Sequence, residues 1–185
     1  MSCTIIIVPG YTNSGPEHWQ SILEMKYKNI VRVEQADWDN PVREEWIDGL
    51  SRAIDAIYGD IFLVGHSCGA VTIAQWAEGH ASSKIVGALL VAPADIESPS
   101  APNKILVQAP LPKARLPFKN TIVYSDNDEY LSTERAKYFA EQWGSELIEI
   151  KNAGHINTAA GYGEWLYGEN LVETLSGIKL EKKIN

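Results

Sequence analysis

The stretch Ile61-Phe62-Leu63-Val64-Gly65-His66-Ser67-Cys68-Gly69-Ala70 decides how this chain of 185 residues folds. Its apolar first half is typical of a buried parallel strand, and helix-forming residues follow directly after Gly-x-Ser-x-Gly. A serine on so sharp a turn between strand and helix presents its hydroxyl above the sheet, an arrangement called a nucleophile elbow. Any side chain at Gly65 or Gly69 would collide with neighbouring backbone. Ser67 is therefore the first candidate for a reactive group.

Short β-branched runs alternate with helical patterns along the chain, which predicts βαβ units in a three-layer sandwich around a mostly parallel sheet of about six strands. The predicted strands lie near Thr4–Val8, Ile30–Val33, Ile61–Val64, Ile85–Val91, Thr121–Tyr124 and Glu146–Ile150. The predicted helices lie near Glu17–Tyr27, Val42–Ile57, Cys68–Gly79, Ser132–Trp143 and Glu164–Leu180. Asn40 with Pro41 supplies a start signal for the second helix. The length fits one domain spanning residues 1–185.

One segment, residues 93–118, interrupts the alternation of strands and helices. It holds six of the nine prolines of the chain, a composition that disfavours a long helix or a central strand. It follows the carboxyl end of a predicted strand, where ligands bind in open parallel sheets. We expect either an excursion that covers part of a substrate site or a plain surface connection.

Charge and cysteine content narrow the classes of partner. The net charge of −8 argues against nucleic acid or an anionic membrane surface, because both favour basic proteins. No basic leader precedes an apolar run, and no apolar stretch approaches membrane-spanning length. Cys3 and Cys68 are too few for a disulfide framework and lack metal-binding spacing. We expect a cytoplasmic protein without a metal or cofactor that acts on a small molecule; the sequence carries no signal for its oligomeric state.

A serine hydroxyl is a weak nucleophile that needs a base within hydrogen-bond reach, itself oriented by a third group. The predicted strand that ends at Tyr124 leads to Asp126 and Asp128, and the predicted strand that ends at Ile150 leads to His155. Because the carboxyl ends of parallel strands share one edge of a sheet, these side chains can converge on the serine. Serine, acid and histidine follow one another here in the chain order that is typical of sheets with a nucleophile elbow.

His155 is the best candidate base among the four histidines. His66 neighbours the serine, and we expect its side chain to point into the fold. His80 stands where a histidine commonly caps the end of a helix. His18 comes before the serine in the chain, which is the wrong order for the base. His155 alone follows the last predicted strand.

Asp128 is favoured over Asp126 as the acid. The run Asp128-Glu129-Tyr130-Leu131-Ser132 has the usual shape of an acid loop that leads into a helix. Asp126 is then expected to form a turn by accepting backbone N–H bonds in an Asx arrangement. The acid would hold the tautomer of His155 and stabilise its imidazolium form without taking a proton.

Two backbone N–H groups are needed to stabilise the negative charge that develops on the substrate oxygen. The candidates are the amides of Cys68, at a helix start, and of Tyr11, in the loop after the first strand. The Cys68 thiol is an alternative nucleophile, because a helix N-terminus lowers a thiol pKa, but Ser67 at the apex of the turn is favoured. Three further side chains are expected either to line the substrate site or to pack in the core: His18, Trp19 and Trp38.

Six motifs stand in one order along the chain: Pro9-Gly10, His18-Trp19-Gln20, Asp37-Trp38 before Pro41, Gly65-His66-Ser67-Cys68-Gly69, Ser125-x-x-Asp128 and Gly154-His155-Ile156-Asn157. Together they resemble small α/β-hydrolases, namely the retinoblastoma-binding serine hydrolase family and its bacterial relatives, over nearly the whole chain. The resemblance implies the α/β-hydrolase fold and a triad of Ser67, Asp128 and His155. Glu129 departs from the proline that members often carry after the acid. No Leu-x-Cys-x-Glu stretch is present, so retinoblastoma-protein binding is not carried over.

The sequence therefore predicts a carboxylesterase-like serine hydrolase that cleaves a small ester, thioester or amide through an acyl-enzyme on Ser67. Two alternatives stay open at this point. An acyltransferase would use the same triad with an acceptor other than water. A non-catalytic module could use the same fold to bind a ligand or a protein, since fold alone does not fix function. No pattern in the sequence indicates which acyl group would fit.

Overall fold

The computed structural model describes residues 3–184. Its six strands are β1 (Cys3–Val8), β2 (Ile30–Arg32), β3 (Asp60–His66), β4 (Ile85–Val91), β5 (Asn120–Ser125) and β6 (Glu146–Ile150). Its helices are α1 (Trp19–Lys26), α2 (Arg43–Asp55), α3 (Cys68–Gly79), α4 (Asn103–Leu106), α5 (Thr133–Trp143) and α6 (Leu166–Ser176). A single 3₁₀ turn occupies Thr158–Ala160. Every predicted strand and helix is present, and α4 is an additional single turn within the proline-rich segment.

All six strands pair in parallel in the order β2-β1-β3-β4-β5-β6. The chain moves outward from β1 to β2 and then returns to the other side of β1 to form β3. In open parallel sheets the crevice outside such a reversal is where ligands bind. The loop after β1 and the turn after β3 flank this crevice, so the topology places the predicted elbow beside it.

Both faces of the sheet are covered by helices, which explains the unbroken apolar runs in the central strands. On one face, side chains such as Ile6 and Leu63 pack in a core with α2, α3 and α5. On the other face, Ile5 and Phe62 pack in a second core with residues of α1 and α6. Successive residues of one strand thus enter opposite cores, as the two-residue repeat of a strand requires.

The start of α2 differs from the prediction. The helix begins at Arg43, and its N-cap residue is Val42, which makes no side-chain capping bond. Asn40 is not the cap because its side chain is engaged elsewhere: its amide donates to Asp37, and its carbonyl oxygen accepts from Lys104. The signal Asn-Pro marked the region of the helix start but not the residue that caps it.

The proline-rich segment is anchored to the rest of the fold. Ile105 and Leu111 are buried in the core on the α3 side of the sheet. The guanidinium of Arg135, in α5, donates to both carboxylate oxygens of Asp95 at 2.7 and 2.9 Å. These contacts hold the segment beside the carboxyl ends of the strands. Within residues 3–184, no helix is both long and apolar enough to cross a membrane.

Candidate active site

Ser67 occupies a sharp turn between β3 and α3 whose backbone geometry is strained. Its φ of 55° and ψ of −125° are unfavourable for a residue with a side chain. Its N–H donates to the carbonyl oxygen of Val91 at 3.0 Å, which ties the turn to β4. A Cβ atom at Gly65 would lie 2.6 Å from the Cα of Ala70, and one at Gly69 would lie 2.0 Å from the oxygen of Val8. Close backbone contact therefore requires both glycines.

Ser67, His155 and Asp128 form one continuous chain of hydrogen bonds. The Nδ1 of His155 lies 2.9 Å from both carboxylate oxygens of Asp128, so Nδ1 carries the proton and donates it. The Nε2 of the same ring is then an acceptor, and it lies 2.9 Å from the Oγ of Ser67. The carboxylate of Asp128 is fully buried. The structure thus brings together the three residues that were predicted from the sequence. The imidazole of His155 is in the tautomer that can remove the proton of Ser67.

The two candidate acids have different surroundings. Asp128 Oδ1 also accepts the N–H of Tyr130 at 2.8 Å, so the Asx turn is formed by Asp128. Asp126 is exposed, and its Oδ1 accepts the N–H of Asn152 from the loop of His155 at 2.8 Å. This corrects the expectation that Asp126 forms a turn within its own loop. Asp126 does not bond to His155 in the structure.

The amides of Tyr11 and Cys68 both belong to residues that line the cleft in front of Ser67. Among residues 3–184, neither N–H donates to a backbone carbonyl oxygen. The two segments lie very close together, since a Cβ atom at Gly10 would be 2.9 Å from the Cβ of Ser67. Two backbone N–H donors beside a serine hydroxyl are the arrangement that can stabilise an oxyanion.

The thiol of Cys68 is unsuited to act as the nucleophile. Its side chain is 1% exposed, and burial raises its pKa to about 12. A thiol with that pKa is almost wholly protonated at neutral pH, and the thiolate is the reactive form. The alternative of a cysteine nucleophile, weighed from the sequence, is therefore disfavoured by the environment of this side chain.

Two other histidines lie beside His155 in the fold. His66 is buried, its ring centroid is 4.9 Å from that of His155, and its Nε2–H donates to the carbonyl oxygen of His155 at 2.9 Å. His18 lies 4.8 Å beyond His66, and its Nδ1 caps α1 by accepting the N–H of Gln20. Burial lowers the pKa of His66 well below its usual value and that of His18 to about 4. Both rings are neutral at neutral pH, so an imidazolium formed on His155 meets no positive charge from either of them.

The buried state of His18 predicts a pH-dependent stability. Its pKa is near 6.5 in the unfolded chain and about 4 in the fold, so below pH 6.5 the unfolded state binds a proton that the folded state does not. Above pH 6.5, His18 does not lower the free energy of unfolding. As the pH falls from 6.5 toward 4, this residue lowers the free energy of unfolding by about 3 kcal/mol. His18→Asn keeps an N-cap acceptor and removes the titration.

We therefore expect the free energy of unfolding of His18→Asn to fall less steeply than that of wild type between pH 6.5 and pH 4. Urea unfolding of both proteins across this range measures the difference. If the free energy of unfolding had the same pH dependence in both proteins, His18 would bind a proton as readily in the fold as in the unfolded chain, and the prediction would be wrong.

The cleft in front of Ser67 has a volume of about 400 Å³. Residues of the loop after β1, of the elbow, of the proline-rich segment, of the Asp128 loop and of the His155 loop form its walls. They are Gly10, Tyr11, Thr12, Asn13, Gly15, His18, His66, Ser67, Cys68, Ala94, Pro102, Ile105, Tyr130, His155, Asn157, Thr158 and Ala159. Five segments that are distant in sequence thus meet at the carboxyl edge of the sheet.

Of the three side chains expected to line the substrate site, only His18 lies on the cleft wall. Trp19 is 1% exposed, and its indole N–H donates to the carbonyl oxygen of Ile156 at 2.9 Å, so it supports the His155 loop from the core. Trp38 packs edge-on against Trp46 with ring centroids 5.6 Å apart. Of the two expectations for these tryptophans, the structure favours packing against the core.

Sequence reasoning missed Tyr130 and the polar residues that follow His155. The ring of Tyr130 lies edge-on to the imidazole of His155 at 4.7 Å and lines the cleft. Asn157 and Thr158 also line the cleft. Their position directly after the candidate acid and base was the available signal, because loops at the carboxyl ends of strands carry the site residues in such sheets.

The sequence matches the serine hydrolase family over residues 5–174. The chain belongs to the serine hydrolase family. This confirms the resemblance seen in the sequence at the level of that family and its bacterial members.

Comparison with individual proteins agrees with this family assignment. The chain is 22% identical over 178 residues to YdeN of Bacillus subtilis, provisionally named a hydrolase, and the match covers 88% of this chain and 90% of YdeN. A crystal structure of a YdeN-like protein from Pectobacterium atrosepticum, also provisionally named a hydrolase, has 31% sequence identity and a TM-score of 0.85. It covers 97% of this chain and 93% of its own.

More distant structures show the fold alone. The alpha/beta hydrolase domain-containing protein 10 of mouse has a TM-score of 0.64 at 18% identity, covering 93% of this serine hydrolase and 90% of the mouse chain. Together with the six parallel strands and the helices on both faces, these neighbours confirm the predicted α/β-hydrolase fold.

Proposed function

We propose that this serine hydrolase cleaves a small ester, thioester or amide through an acyl-enzyme formed on Ser67. The observation that carries the proposal is the hydrogen-bonded chain from the Oγ of Ser67 through His155 to the buried carboxylate of Asp128. The amides of Tyr11 and Cys68, which line the cleft with the serine, support it. The alternative of a non-catalytic binding module gains no comparable support, because binding alone does not require such a chain.

The steps follow from this arrangement. Ser67 Oγ attacks the carbonyl carbon of the substrate while its proton passes to the Nε2 of His155. The carbonyl oxygen becomes an oxyanion held by the two amides, and Asp128 stabilises the imidazolium. The Nε2–H then protonates the leaving oxygen, sulfur or nitrogen, its bond to the carbonyl carbon breaks, and the acyl-enzyme remains. Water attacks that ester and gives its proton to Nε2, which returns it to Ser67 as the acid leaves.

The size of the cleft supports a small substrate. A volume of about 400 Å³ lies near the lower end of the range for small-molecule sites. Ala94, Pro102 and Ile105 supply an apolar wall, so we assign the proline-rich segment of the single domain a substrate-facing role. Hydrolysis of p-nitrophenyl esters of increasing acyl length measures the preference, which we expect to favour short acyl chains. A preference for long chains would contradict the proposed size.

Labelling with a fluorophosphonate tests the assignment of the nucleophile. We expect one adduct per chain, mapped to Ser67 by peptide mass spectrometry, because only an activated serine reacts rapidly with this electrophile. Ser67→Ala should lose the adduct. Ser176→Ala, which removes a hydroxyl at the end of α6, should keep it. An adduct on another residue, or equal labelling of Ser67→Ala, would contradict the proposal.

Two expectations that go beyond membership of the serine hydrolase family remain proposals. A closer kinship with the retinoblastoma-binding member rests on the six motifs in the sequence. A cytoplasmic location rests on the composition and on the two cysteines, which are free and buried in the structure.

A further inference from the structure

The loop that carries His155 is attached to the loop that carries Asp128 by hydrogen bonds from its backbone to side chains. The N–H of Gly154 donates to the Oδ1 of Asn127 at 2.7 Å, and the N–H of Ala153 donates to the Oγ of Ser125 at 2.8 Å. The hydroxyl of Ser125 donates in turn to the same Oδ1 of Asn127 at 2.7 Å. Ser125 and Asn127 thus form a two-residue clamp on the backbone just before His155.

The clamped loop has a backbone conformation that needs such support. Asn152, Gly154 and Ile156 have φ angles of 54°, 54° and 49°, in the left-handed region. For Asn this is tolerable, but for a β-branched isoleucine it is a genuine strain. On the core side the loop is held by His66 and Trp19, which donate to the carbonyl oxygens of His155 and Ile156. A loop strained in this way relaxes when its anchors are removed.

We propose that Ser125 and Asn127 are positioning residues that set the placement of His155 relative to Ser67. This inference rests on the proposed function, since it assigns these side chains to the same reaction. Neither residue lines the cleft, so they act only through the loop. The Nε2 of His155 has a single productive position, 2.9 Å from the serine oxygen, and a displacement of about 1 Å can cost about a hundredfold in rate.

The test compares Ser125→Ala and Asn127→Ala with wild type in p-nitrophenyl ester hydrolysis. We expect kcat to fall about tenfold to a hundredfold in each variant, with KM within about twofold, because the cleft walls stay in place. Asn127→Asp keeps the acceptor oxygen at an exposed position and should restore kcat to within about threefold of wild type. Unchanged kcat in both alanine variants would overturn the proposal, and so would Asn127→Asp behaving like Asn127→Ala.

A matched control separates positioning from stability. Ser132→Ala also removes one serine oxygen that accepts a backbone N–H, that of Arg135 at the start of α5. It should lower the melting temperature while kcat stays at the wild-type value. If Ser132→Ala lowered kcat as much as Ser125→Ala does, the loss would reflect general destabilisation and the proposal would be wrong.

A measurement that does not depend on catalysis allows this proposal to be tested separately from the proposed function. We expect the Nδ1–H proton of His155, which is donated to Asp128, to give a downfield NMR resonance that exchanges slowly with water. We expect the resonance to broaden or disappear in Ser125→Ala and Asn127→Ala and to persist in Ser132→Ala. Its persistence in the alanine variants would overturn the positioning role. A wild-type protein without hydrolytic activity would refute the proposed function instead, and the NMR comparison would still decide this one.

Discussion

Asp128→Asn is expected to lower kcat by about 10⁴-fold while leaving the fold intact. Both carboxylate oxygens of Asp128 face the Nδ1 of His155 at 2.9 Å. An asparagine in this position would turn its NH₂ group toward the ring and favour the tautomer whose Nε2 carries the proton. That tautomer cannot accept the proton of Ser67. The substituted site also lacks the negative charge that stabilises the imidazolium, so the loss falls on the chemical step.

The neighbouring carboxylate provides the matched comparison. Asp126→Asn keeps an oxygen that can accept the N–H of Asn152 and removes one exposed charge near Lys151. Exposed pairs of this kind contribute little. We expect kcat of Asp126→Asn to stay within about threefold of wild type. Steady-state hydrolysis of a p-nitrophenyl ester, with circular dichroism to verify folding, distinguishes the two variants. Comparable losses in both would mean that the wrong carboxylate has been assigned.

Gly69→Ala is expected to destabilise the protein by about 3 kcal/mol and to abolish activity. A Cβ atom there would lie 2.0 Å from the carbonyl oxygen of Val8 and 2.5 Å from that of Pro9. Both contacts are with backbone, so no flexible side chain can yield. Alanine is favoured over glycine inside a helix by only about 1 kcal/mol, which is too little to offset the collision. Relief would require β1 and the following loop to move away from the elbow, which would also displace the Tyr11 amide.

Gly79, at the other end of the same helix, gives the control for this substitution. A Cβ atom at Gly79 meets no atom within 4 Å. Gly79→Ala should therefore leave activity unchanged and raise stability by up to about 1 kcal/mol. Urea unfolding of both variants measures the contrast. A Gly69→Ala protein as stable as Gly79→Ala would show that the loop after β1 tolerates displacement.

The parts of the structure that depend on local pattern were predictable from the sequence. The apolar run before Ser67 predicted a strand buried on both faces. The chain order of Ser67, Asp128 and His155 predicted that their side chains meet at one edge of the sheet. Gly65 and Gly69 were identifiable because crowding at a strand-to-helix turn excludes a side chain. Asp128 was preferred over Asp126 from the residues that follow it, and the hydrogen bonds to His155 agree with that choice.

The remaining features depend on contacts between segments that are far apart in the chain. The spacing of residues in a single sequence does not reveal such contacts. Asn40 has the composition of a helix cap, but Lys104 and Asp37 engage its side chain. Trp19 stands beside a residue of the cleft wall and yet supports the His155 loop from the core. The bond of Asn127 to Gly154 joins residues 27 positions apart. An exposed asparagine in a loop carries no local sign of such a partner.

The separation of the triad along the chain has a consequence for folding. Ser67 and His155 are 88 residues apart, and the sheet that brings their side chains together includes β3, β4, β5 and β6. Closing a loop of this length costs conformational entropy before any stabilising contact has formed. We therefore expect the contact between Ser67 and His155 to form late in folding. A nascent chain that ends before β6 contains the serine but lacks the histidine. We therefore expect Ser67 to become reactive only when the whole sheet is complete. Chains that are still being synthesised would not react at this serine.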